Sequence, residues 1–126
     1  MGNKVNRATL GDAVFEDKSL AVCEHGLEVK WYYFPAANSK FVKFSELAGA
    51  EKALRDKDWG IGISGVWWPS GFGTDMGIKL YFKEKKVFGC GISIEDPSRV
   101  DEILQMITDR IERSNESKAA AVVSDE

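Results

Sequence analysis

The sequence predicts a single, mainly β domain closed by one C-terminal α-helix. Three observations carry that expectation. Leu27, Val29, Trp31 and Tyr33 alternate with Glu28, Lys30 and Tyr32, the two-residue period of a strand with one buried face. Ile78, Leu80 and Phe82 alternate in the same way with Lys79, Tyr81 and Lys83. Val100, Ile103, Leu104, Ile107 and Ile111 then follow the spacing of one helical face. At 126 residues the chain holds one core and is too short for two ordinary domains.

Residues 1–12 are polar with scattered apolar positions and read as a loosely ordered lead-in to a domain spanning 13–113. The first strand covers Ser19 to Cys23, and Glu24-His25-Gly26 turns the chain, with Gly26 available for a positive φ. The strand from Leu27 to Tyr33 follows, and Pro35 ends it. After the turn Ala36-Ala37-Asn38-Ser39, Lys40 to Phe44 returns, with Val42 and Phe44 facing inward. Ser45-Glu46-Leu47 makes one helical turn. Ala50 to Arg55 has helical propensity but the position of a strand, and is expected as a strand.

Between Asp58 and Gly77, Trp59, Trp67, Trp68 and Phe72 are interleaved with glycines. Glycine weakens a strand unless backbone or a bulky ring packs over the vacant position. The pattern therefore predicts a strongly bent strand and then a loop from Pro69 to Gly73. The turn Glu84-Lys85-Lys86 leads into Phe88, Cys90, Ile92 and Ile94, facing the core with Gly89 and Gly91 opposite. Asp96 caps the helix and Pro97 takes its first position. From Ser114 onward no apolar face remains, which predicts a disordered tail over 114–126. About six or seven short antiparallel strands with a terminal helix suit a small, partly open barrel or an orthogonal sandwich.

Hydrophobic residues make up 44% and charged residues 29%, as in soluble globular proteins, and the formal net charge is −3. That balance opposes general nucleic-acid binding, which needs a basic face to displace counterions. Cys23 and Cys90 each sit in an alternating strand pattern and read as buried, reduced thiols. No apolar run approaches a membrane span and no signal segment opens the sequence, so a cytoplasmic protein is expected.

Reactive groups are sparse. His25, the single histidine, lies in a turn, where solvated polar residues belong. No paired CxxC spacing suggests zinc, and no cofactor is expected. Gly60 to Gly65 spells GxGxxG, yet Trp67-Trp68-Pro69 follows where a dinucleotide fold needs a helix. Ser64 and Ser70 lack a histidine placed to activate them, and Asp56, Asp58, Glu95 and Asp96 fall at turns or a helix cap. No catalytic residue is assigned.

Adjacent residues of a strand point to opposite faces, so one ring of the Trp67–Trp68 pair enters the core and the other is at least partly exposed. The second ring either covers an open end of the sheet or, with Phe72, forms a docking surface for a partner.

The runs Gly26–Pro35 and Phe41–Leu47, with Trp59-Gly60, Trp67-Trp68 and Ile92 to Pro97 before the helix, resemble bacterial-type pleckstrin-homology-like domains. The likeness covers roughly Leu20 to Ile111 and resides in core and turn residues. It implies a seven-stranded, partly open barrel capped by the helix, and brings no catalytic residues. Members that bind inositol phosphates carry several basic residues where this chain has Glu24-His25-Gly26 and only Lys30 beyond. Lys83, Lys85 and Lys86 cluster at another turn, and Gly2 opens an incomplete acylation motif. The expected function is a non-enzymatic binding module whose protein partner is met by Trp67, Trp68 and Phe72. The alternatives are a small-ligand binder or enzyme walled by the Trp67–Gly73 loop, and a peripheral membrane domain using Lys30, Lys83, Lys85, Lys86 or acylated Gly2.

Overall fold

A computed structural model describes residues 6–33, 38–57, 59–69, 76–85 and 89–124, the last eight of these as backbone only. Gly2, Phe72 and Lys86 lie outside them. Two sheets and a long helix share one core. The first sheet joins β1 (Ala13–Glu16), β2 (Leu20–Cys23), β3 (Gly26–Tyr33) and β4 (Asn38–Lys43) in sequence order, all antiparallel. The second sheet contains β5 (Leu47–Leu54), β6 (Gly60–Ile61), β7 (Val66–Trp68), β8 (Met76–Phe82) and β9 (Gly89–Ser93), in the order β5-β8-β9-β7-β6. Among the described residues neither sheet closes on itself.

Leu20, Val22, Leu27, Val29 and Val42 from the first sheet meet Leu47, Ile78, Leu80 and Ile92 from the second. The helix α2 (Val100–Ser124) completes this core with Val100, Ile103, Ile107 and Ile111. Leu104, read from the sequence as core, is half-buried at its edge. Asp96 caps a 3₁₀ turn at Pro97–Arg99 by accepting from Ser98 N at 3.0 Å, and the α-helix follows. The helix continues through 114–124, where the sequence predicted a disordered tail.

Other expectations change. Within the supposed lead-in, Arg7–Leu10 forms a one-turn helix, α1, capped by Asn6, which accepts from Thr9 N at 3.1 Å. Leu10 is fully buried there, over Ala21 and Cys23 on the outer face of β2, and β2 is therefore buried on both faces. The segment expected as one bent strand is instead the β6–β7 hairpin. One strand pair is parallel, β7 with β9, where only antiparallel pairs were expected.

The alternation of β3 holds through Val29 and then breaks. Trp31 adopts φ 60°, the register against β4 shifts between Val29 and Tyr33, and Tyr32 turns inward. Trp31 and Tyr33, both predicted to be core, are exposed. An extra residue in one strand displaces every later side chain to the other face.

Both cysteines are buried free thiols. Among the described residues no helix is long and apolar enough to cross a membrane.

Candidate functional site

The tryptophan pair is placed by β7. Trp67 points between the sheets, half-buried, and donates Nε1–H to Tyr32 O at 3.0 Å. Its ring meets Trp59 edge-on at 5.4 Å and lies 6.3 Å from Tyr32. Trp68 points to the opposite face and is only 1% exposed. Its ring lies across Gly77 and Gly91, so a Cβ on Gly91 would come within 2.6 Å of Trp68 Cδ2. The two glycines are the vacant positions over which the sequence pattern placed a ring. Trp68 Nε1–H donates to Asp56 Oδ1 at 2.9 Å, and the Arg55 guanidinium sits 5.9 Å from the ring centroid. The other Asp56 oxygen accepts from Ser64 N at 2.9 Å, and this bond holds the carboxyl below its ordinary range. Trp68 thus pins the β6–β7 hairpin to the sheet, with no face left for a partner.

Of the lysines suggested for a lipid headgroup, Lys30, Lys83 and Lys85 are among the described residues. Lys30 Nζ is engaged by Glu16 at 2.6 Å and by the Asp17 carbonyl at 2.8 Å. Lys83 and Lys85 are exposed beyond β8.

A different set of residues converges. A groove of ≈ 600 Å³ lies between the β2–β3 turn, the end of β4 and the middle of α2. Its walls carry Lys43, Arg110 and Arg113 with His25, and Glu24 is the one carboxylate among them. The groove is built from the sequence upward. Gly26 is required at the turn because a Cβ would run into the Val42 carbonyl and the Leu10 side chain; its φ is not positive, contrary to the sequence expectation. His25 N donates to Leu10 O at 2.8 Å and Phe44 N donates to His25 O at 3.0 Å, which fixes the turn from both sides. On α2 the inward stripe of Ile103, Ile107 and Ile111 puts Arg110 beside it, facing the turn, and Arg113 next to that. Hydroxyls of Thr9, Ser45 and Ser114 line the remainder.

The electrostatics of this groove are unbalanced. Among the described residues none of Lys43, Arg110 and Arg113 has an ion-pair partner, whereas Arg7, Lys30, Lys52 and Arg99 all do. The Glu24 carboxylate, also in the wall, accepts from Asp12 N at 3.3 Å beside Gly11 and makes no ion pair with Lys43, Arg110 or Arg113 among the described residues. Lys43 and Arg110 are half-buried, Arg113 exposed. Three cations against one carboxylate around a single concave surface attract an anion, and this one lies on a protein whose net charge is negative. Among the described residues no three His, Cys, Asp or Glu side chains gather to hold a metal ion.

Sequence reasoning missed this site. His25 was read as a solvated turn residue, and Lys43, Arg110 and Arg113 were not singled out. The chain matches no family model, no curated protein and no solved structure.

Proposed function

We propose that this protein is a non-enzymatic, pleckstrin-homology-like binding module that engages an acidic segment of a protein partner in the Lys43–Arg110–Arg113 groove. The observation that carries this reading is the trio of cations, outnumbering the one carboxylate and without ion-pair partners among the described residues, around an open concavity. Folding leaves three like charges side by side, a cost that an anionic ligand offsets. The pleckstrin-homology likeness rests on the sequence runs quoted above and on the mainly β architecture with its C-terminal helix. A cytoplasmic setting suits two buried, unpaired thiols. The test is fluorescence anisotropy with peptide pools rich in Asp and Glu or in Lys and Arg. The acidic pool should bind, more weakly as salt rises, and binding should vanish in Lys43→Glu/Arg110→Glu/Arg113→Glu. Equal binding by wild type and variant would refute the groove as the contact.

A further inference from the structure

We infer that the anion the groove takes is a phosphate monoester, carried as a phosphorylated serine or threonine on the partner segment; this rests on the groove reading above. Arg110 and Arg113 stand three residues apart on one helix, so both guanidinium forks reach the same mouth. Lys43 faces them from the end of β4, across the groove. A carboxylate offers two oxygens in one plane and a single charge, which one guanidinium fork satisfies. With Glu24 already in the wall, that would leave one of the three cations uncompensated. A phosphate monoester offers three terminal oxygens, disposed tetrahedrally, and a charge approaching −2. It accepts from both forks and from Lys43 at once.

The hydroxyls of Thr9, Ser45 and Ser114 supply further donors at the rim, and Phe44 adds an apolar surface to the wall. The groove is open along the surface, between a turn and a helix, which suits a side chain arriving on a polypeptide. An extended anionic bilayer is the less fitting source of the same chemistry. The protein is acidic overall, and Lys30, the candidate basic residue nearest the turn in sequence, is spent on Glu16.

The experiment uses the full chain and three degenerate peptide pools, identical except for a fixed central phosphoserine, glutamate or serine. Binding is read by titration calorimetry and by shifts of the Arg Nε–Hε resonances. Phosphoserine peptides should bind about tenfold or more tighter than glutamate peptides, and serine peptides should not register. Arg110→Lys keeps the charge and removes the fork. It should bring phosphoserine affinity down towards the glutamate level, weaken glutamate binding by a smaller factor, and leave the melting temperature unchanged. Equal affinity for phosphoserine and glutamate overturns the phosphate inference and leaves the acidic-groove reading standing. If no pool binds, or if Arg110→Lys and Lys43→Ala change nothing, both fall. Vesicles containing phosphatidylinositol phosphates, compared with phosphatidylserine vesicles of equal surface charge, form the last arm. Headgroup-selective vesicle binding without peptide binding would also overturn the inference, in favour of a membrane.

Discussion

Among the described residues Trp68 is the largest side chain that the fold buries completely, and it does so on the outer face of the second sheet, away from the main core. Its position depends on what Gly77 and Gly91 lack. Trp68→Ala should therefore lose about 3–5 kcal/mol, as large-to-small changes of buried aromatics do. Gly91→Ala should cost about 1–3 kcal/mol, because the ring must move away from the new methyl group. Urea midpoints of the two variants test this, and a silent Gly91→Ala would show that the ring moves freely. A second residue-scale effect belongs to Glu16. Its carboxylate receives Arg7 at 2.7 Å and Lys30 at 2.6 Å, and these bonds, Arg7's first, lower its pKa from 4.5 to about 2. A depressed carboxyl pKa means stability that is present above pH 4.5 and lost as the pH falls towards 2. The melting temperature should decline through that window, and Glu16→Gln should flatten the decline. The effect is moderate, since both partners are partly exposed and screened by solvent.

At the scale of elements, α2 closes the opening between the sheets. Ile107→Ala should cost about 2–5 kcal/mol, whereas Gln105→Ala, which removes an exposed bond to Asp109, should be nearly silent. Leu104→Ala should fall between them, because its side chain is only half-buried. Equal denaturation midpoints for all three would contradict the packing of this helix. Its inward stripe was legible in the sequence because one buried face imposes its period on the residues. The same holds for Leu27 and Val29, for Ile78 and Leu80, and for Cys90, Ile92 and Ile94. The period becomes unreadable at Trp31, where the bulge shifts parity: nothing local marks a tryptophan for the left-handed region, a conformation that is rare outside glycine. The groove was illegible for another reason. Thr9, His25, Lys43 and Arg110 come from four separate parts of the chain, and each alone reads as a solvated polar residue. Only the topology that seats the β2–β3 turn beside α2 makes them one surface.

Across the whole molecule, the two thiols belong to different clusters, Cys90 to the core between the sheets and Cys23 to the one under Leu10. Cys23 and Cys90 are buried, and burial pushes the Cys90 thiol up to about 11. A thiolate-selective reagent at pH 8 should therefore label neither residue in the folded protein, and both in urea. The labelling rate of Cys90 without denaturant should track global unfolding, since β9 is the central strand of its sheet, whereas release of α1 is enough to uncover Cys23. Fast labelling of Cys90 under native conditions would mean that the second sheet opens independently of the first.

The parallel pairing of β7 with β9 sets a timetable for synthesis. The β6–β7 hairpin leaves the ribosome before its neighbour in the sheet exists, and both tryptophans with it. Gly77 and Gly91, the floor beneath Trp68, arrive 9 and 23 residues later. Non-local pairing of this kind forms late and leaves apolar surface uncovered meanwhile. Trp68 is thus a built-in clock for completion of the nascent chain. Stalled chains that end before β9 should leave its ring open to acrylamide quenching, and chains released with β9 in place should shield it.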